Sequence, residues 1–455
     1  MSNGRRRSPS LFSGIILVLF GVILLLHYFR GDFPLWDIFW RWWPALLILW
    51  GVVKLVERMT YRPAAAGAGA AAPRTVRGSE ILLVLGLFAL IGTIAGIEWV
   101  RRHAPDAEIP GILGANSYTY DIEVAPRPVP PNAQVTIRTT NGDITVRAEN
   151  TTQLQVTAKK SVRAWDDKEA QRAAAPVNVV IEQTAGGFDV HPEGQSDNER
   201  VGVDIEARVP LLASLTLRND HGDVKTTGLM GSLHVNNQRG DVEISDCAGV
   251  NVEMNRGDLK VSDAKGDVKI TGNGDDVDVA NAAGGMTLNG DFSGTIRAEK
   301  IAKGVHLVSQ RADLTVSRLP GHLESELGDF KLYDATGNVS LRTSSKDITL
   351  ENVTGKLAIE NRAGNVELRF LQPPKDDITV SNESSGITVT LPANSSFEIQ
   401  ADSHSGEIES DFSGDALKLT KDAQGNSHLE GKVGTHGPKI TLKTTYGSIV
   451  LRKAG

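Results

Sequence analysis

The sequence predicts an all-β fold: a β-solenoid of about 18 residues per coil, two strands per coil, after an N-terminal three-helix transmembrane segment. One observation is a phrase of turn residue, Asp and apolar residue. It begins at Gly222-Asp223-Val224 and returns at Gly240, Gly257, Asp275, Gly294, Ala312, Gly328, Lys346 and Gly364. A second is another Gly phrase halfway between the copies, at Gly231, Gly249, Gly266, Gly285, Gly304, Gly321, Gly337 and Gly355. The third is a set of three apolar stretches within residues 1–103.

The half-period phrase makes the unit about nine residues, one strand and one tight turn used twice per coil. A hexapeptide helix would beat at six, so a flattened, two-faced solenoid is expected. Gly serves where the turn needs positive φ or close backbone stacking, and Asp or Asn bonds its own turn. After each turn apolar residues alternate, as in Val242/Ile244, Leu259/Val261 and Val277/Val279, the pattern of a strand with one buried face. Burying each such side chain stabilises by roughly 1.5–3 kcal/mol, so one coil cannot stand alone but a stack can.

In chain order, residues 1–62 read as a cytoplasmic N-terminus and a transmembrane hairpin. Leu11 to Tyr28 is almost unbroken apolar sequence after Arg5-Arg6-Arg7, and Trp36 to Val56 is apolar apart from Asp37, Arg41 and Lys54. An Ala/Gly-rich linker covers 63–79, and a third span covers 80–103. Trp40, Trp42 and Trp43 sit before Pro44 as interfacial aromatics do. The first stretch could instead be a signal peptide, but no small-residue cleavage site follows it. Lys54, Arg58, Arg62, Arg74 and Arg77 crowd the second-to-third loop. With Arg5-Arg6-Arg7 they put the N-terminus in the cytoplasm, and three crossings put the rest outside a bacterial inner membrane. The Gly14/Gly21 spacing and the run from Trp42 to Gly51 resemble the transmembrane hairpin of LiaF-type envelope-stress proteins.

Residues 104–131 read as a Pro-rich tether. Residues 132–210 hold the first strands of the β domain: Gln134 to Arg138 and Asp143 to Arg147 flank Asn141-Gly142, a hairpin signal. Trp165 to Ala175 is the one helical stretch, with Asp166 and Asp167 at its start and Pro176 ending it. The regular solenoid is expected over 211–369. An irregular end with a C-terminal cap covers 370–455, with strands at Ile378, Ile387, Phe397 and Ile408 and Ile440 to Leu451 closing the domain.

This body resembles the bacterial "putative adhesin" family, a β-strand repeat domain of unknown function. The resemblance rests on Val156 to Lys160 leading to Trp165 to Ala170, on Ile205 to Pro210, and on the Gly-Asp-Val repeats. Leu391-Pro392-Ala393 leading to Ser405 to Ile408 adds to it. It implies a β-solenoid, often membrane-anchored, and no catalytic residues.

Charge separates head from body. Residues 1–103 carry 12 Lys/Arg against 5 Asp/Glu, and the remainder 36 against 50. The acidic body has no basic stripe, so nucleic acid is not expected as a partner. Cys247 is the only cysteine and reads as structural. Asp223, Asp241, Asp258 and Asp276 form a candidate column for weak Ca2+ binding, the plainer reading being turn chemistry. No other cofactor is expected. The ten His residues show no metal-ligand spacing, and His221 and His322 fall in turn positions. No Gly-x-Ser-x-Gly elbow or phosphate loop is present.

These residues point to a membrane-anchored extracytoplasmic scaffold, not an enzyme, serving envelope-stress sensing or regulation. Its partners are the lipid bilayer and an envelope protein or glycan. The alternative is adhesin-like binding of glycan, wall polymer or protein at the cell surface. A glycan-active enzyme is third, and a cytoplasmic polymer-forming solenoid would need the topology inverted.

Overall fold

The computed structural model describes residues 116–194, 201–413 and 416–454. The three expected spans lie outside the described residues; among those described, no helix is long and apolar enough to cross a membrane. The described residues belong to one compact unit, Leu113–Gly455.

The nine-residue beat becomes two sheets between which the chain passes at every turn. The strands that follow the Asp phrase form the first sheet. Val224–Thr227, Val242–Ser245, Leu259–Ser262, Val277–Ala282 and Ile296–Ile301 pair in parallel, each about one coil from the next. Strands after the half-period phrase form the second: Ser214–His221, Ser232–Asn237, Gly249–Met254, Val268–Gly274, Gly285–Phe292 and Gly304–Val308. Inward residues stack in columns, Val224-Val242-Leu259-Val277-Ile296 on one side and Leu215-Leu233-Val250-Val268-Met286-Val305 on the other, all buried in one core.

The rhythm then reverses for one coil. Ala312–Ser325 is a single long strand that belongs to both sheets and is antiparallel to all four neighbours. Its first half pairs with Gly304–Val308 and Thr336–Thr343, its second with Ile296–Ile301 and Asp329–Tyr333. Ala312-Asp313-Leu314 therefore lies in the second sheet, not in the column of Asp phrases where its sequence placed it. His322 likewise lies in this strand rather than in a turn, its ring stacked on Tyr333. Local grammar could not reveal this, because the same turn residues serve a hairpin and a coil corner. At the reversal the buried Lys346 ammonium donates to the Glu326 carbonyl. Burial, and then the nearby Arg311, hold its pKa below the usual lysine value. Parallel growth resumes through Asp347–Glu351, Val366–Arg369 and Ile387–Pro392, so the regular repeats outrun residue 369.

Both ends depart from chain order. Asn141-Gly142 is a corner between sheets, not a hairpin turn: Gln134–Asn141 lies in the second sheet and Ile144–Glu149 in the first. Gly142 has φ +133° there, and a Cβ would come within 2.2 Å of the Val203 carbonyl oxygen. The tether is also shorter than expected, since Asn116–Glu123 is already an edge strand, antiparallel to Gln153–Ala164. The helix is Asp167–Ala174, capped by the Asp166 side chain accepting from the Glu169 amide. Lys160 donates to the carbonyls of Ala174 (2.9 Å) and Val177 (2.7 Å), satisfying the helix end. At the far end, Lys439–Thr444 and Ile449–Ala454 do not close the domain. They slot between the Ile378–Asn382/Ile387–Pro392 coil and the Phe397–Ser403/Ile408–Ser410 coil. The outermost piece is the hairpin Lys418–Lys421 and Ser427–Val433.

Candidate functional site

The four candidate carboxylates do come together, in one column at the corner entering the first sheet. Each Oδ1 accepts the backbone N–H of the next member. The Asp241 amide reaches Asp223 at 2.8 Å, Asp258 reaches Asp241 at 2.9 Å, and Asp276 reaches Asp258 at 3.0 Å. The column is longer than the repeats suggested. Upstream, the Asp223 amide donates to Asp143 (2.8 Å) and the Asp143 amide to Asp204 (3.0 Å); downstream the Thr295 amide ends it on Asp276 (2.6 Å). Asn141-Gly142-Asp143 carries the same phrase in the sequence, and that signal could have found it. Beneath the ladder the glycines stack: a Cβ on Gly240, at φ +124°, would lie 2.2 Å from the Gly222 oxygen. Asp at this slot thus fixes coil to coil, not merely its own turn.

A second column went unread. Asp246, Asp263, Asn281, Lys300, Asp334 and Asn352 all hold positive φ, between 51° and 58°, at the corner leaving the first sheet. Asp and Asn tolerate this left-handed conformation better than other non-glycine residues. Its sequence signal is an Asp or Asn five positions after the second residue of the phrase, as in Asp241 and Asp246. Cys247 follows, fully buried, with its thiol pushed up to about 11 by burial. A thiol held neutral in this way is structural.

A broad concavity of about 910 Å³ lies on the second sheet after the reversal. One outward row crosses its floor in strand register: Arg342, Glu360, Ser381, Lys443, Asp402 and His428. Arg342 Nε donates to Glu360 (2.7 Å), and His428 Nδ1 meets Asp402 (2.5 Å). The Asp402 contact, ahead of the Glu430 contact, raises the His428 pKa. Thr343, Asn361 and Asn382 border the same groove, but Thr343 Oγ1, Asn361 Oδ1 and Asn382 Oδ1 are shut from solvent and without a hydrogen-bond partner. Buried polar atoms of this kind normally find a partner. The groove presents both charges of the outward row to whatever occupies it, while those three atoms stay sealed beneath it.

Reading by spacing also missed a histidine. His191 meets Glu182 and Glu193 across the hairpin Asn178–Thr184/Gly187–Glu193, a juxtaposition set by strand register and not by any short motif.

No curated protein matches the chain. Among solved structures it is similar to a "putative adhesin" from Parabacteroides distasonis, at 9% identity over 74% of this chain and 97% of that one, TM-score 0.23. A "putative adhesin" from Parabacteroides merdae gives 9% identity over 75% and 97%, TM-score 0.21. A "putative cell adhesion protein" from Clostridium sporogenes gives 7% identity over 74% and 100%, TM-score 0.16. Scores this low leave function untouched. Residues 12–103 match the LiaF transmembrane domain, which implies membrane anchoring and agrees with the apolar head. Residues 132–452 match the Toastrack DUF4097 domain, the stretch in which the two laddered sheets lie. Matched over most of its length, the chain belongs to the Toastrack DUF4097 family.

Proposed function

We propose that this chain is a three-span inner-membrane protein, N-terminus cytoplasmic, whose extracytoplasmic β domain senses or regulates envelope stress by binding. The observation that carries this reading is one chain joining a LiaF-type membrane domain to a Toastrack domain. The ladder supports scaffolding over catalysis, because its carboxylates spend Oδ1 on neighbouring amides. Crosslinking the full-length protein in cells under envelope stress is expected to capture an envelope protein through the β domain. A C-terminal alkaline-phosphatase fusion is expected to be active; an inactive one, beside a fluorescent GFP fusion, would refute the topology.

The groove favours a second reading, adhesin-like binding of a glycan or wall polymer, since it offers both charges along one outward strand row. Retention of purified wall polymer, lost in Lys443→Glu, would favour it over regulation. Depolymerisation of that polymer would instead make the chain an enzyme.

A further inference from the structure

The hairpin Asn178–Thr184/Gly187–Glu193 is antiparallel, with Val180 opposite His191 and Glu182 opposite Asp189. Opposite residues and every second residue share a face, so Glu182, Asp189, His191 and Glu193 all lie on one side. On that face a carboxylate oxygen from each Glu and a ring nitrogen of His191 lie within 4.8 Å of one another. That is the separation at which one ion can touch all three.

The second observation is behind the histidine. His191 Nδ1 and Asp189 Oδ1 are both shut from solvent with no hydrogen-bond partner, and they face each other at 3.7 Å. Leaving a buried polar atom unsatisfied costs about 1–3 kcal/mol. Arg138 Nη2 holds the other Asp189 oxygen at 2.8 Å, so this carboxylate is oriented and not loose. At 3.7 Å the pair stands just beyond hydrogen-bond reach; a small closing shift would let a proton on Nδ1 serve both atoms and leave Nε2 with a lone pair. Carboxylate behind imidazole is the arrangement that orients metal-binding histidines.

We propose that Glu182, His191 and Glu193 bind a divalent transition metal of the zinc class, with Asp189 and Arg138 as positioning residues. One imidazole nitrogen with two carboxylates suits such a cation better than Ca2+, which takes six to eight oxygens. Three protein ligands leave one position of a tetrahedral shell for water or for a donor on a bound molecule. The site is separate from the Asp ladder and does not rest on the function proposed above.

The test uses the full-length protein in detergent micelles, stripped by chelator and titrated with Zn2+ alone, with Co2+ as the spectroscopic probe. One equivalent is expected to bind. His191→Ala should abolish binding, and Asp189→Asn should weaken it about 10-fold. Asp258→Asn, in the ladder, should leave it unchanged. The Co2+ absorption should report a nitrogen-containing shell that is lost in His191→Ala. Should His191→Ala fail to fold, the pair Glu182→Gln and Glu193→Gln reads the same loss. Unchanged stoichiometry in folded His191→Ala or in both Gln variants, displacement of Zn2+ by equimolar Ca2+, or no binding at all would overturn the proposal.

Discussion

Before the reversed strand, the first sheet grows with an unbroken chain of Asp acceptors from Asp204 to Asp276; after it, the same growth has only short runs. Asn365 donates its amide to Asp347 (2.6 Å) and Gly386 donates to Asn365 (3.3 Å). The ladder stops at Thr295, one strand before Ala312–Ser325. The reason is geometric. A ladder rung needs the next coil to present its amide in the same place, and an antiparallel neighbour does not. The ladder requires parallel growth, whereas parallel growth proceeds without an unbroken ladder after the reversal, and the reversed strand divides the body into two stacks.

Four measurements press on that division. The largest effect is expected from a core truncation. Leu259→Ala should cost about 2–5 kcal/mol. Hydrogen exchange should show the loss confined to coils before residue 308; equal loss after residue 329 would mean the stacks unfold as one. Next, Gly240→Ala places a Cβ against the Gly222 oxygen at positive φ and should cost about 1–3 kcal/mol in chemical denaturation. A change under a few tenths would show that the column is not close-packed. Third, Asp258→Ala removes one rung and should cost about 1 kcal/mol, while Asp258→Asn keeps the acceptor and should be near neutral. The same Asn variant separates rung from ion: if the column also holds weak Ca2+, calcium-dependent stabilisation disappears in Asp258→Asn although the fold does not. The smallest effect belongs to the second stack. His428 has its pKa raised above the ordinary 6.5, first by Asp402. Its stabilisation is therefore complete below that ordinary value and fades as pH rises through the higher folded value. Amide exchange in Ser427–Val433 should quicken over that rise, and His428→Gln should flatten the change.

Much of this was legible. The period gave two strands per coil, the alternating residues gave the buried columns, and Asp166 with Pro176 bounded the helix. What escaped has a common cause. Gly and Asn permit positive φ wherever the chain turns, so Asn141-Gly142 could not declare itself corner or hairpin. Ala312-Asp313-Leu314 keeps the phrase while the strand runs backwards. Pairing partners far apart in sequence leave no local trace, which hid the slotting of Lys439–Ala454. The Glu182, His191 and Glu193 cluster needed hairpin register for the same reason, whereas the Asp column, being periodic, could be read directly.

That slotting governs the order of events during synthesis. The layer made of Phe397–Ser403 and Ile408–Ser410 rests on strands that the ribosome delivers later, Lys439–Thr444 and Ile449–Ala454. Coils before it can dock as they emerge, each upon its predecessor. This layer can pair with its outer hairpin strand Ser427–Val433 first, but it cannot dock on the stack until those strands arrive. Completion of the domain is thereby tied to delivery of its last two strands, and a chain that lacks them leaves the strand edges of Ile378–Asn382 and Ile387–Pro392 unpaired.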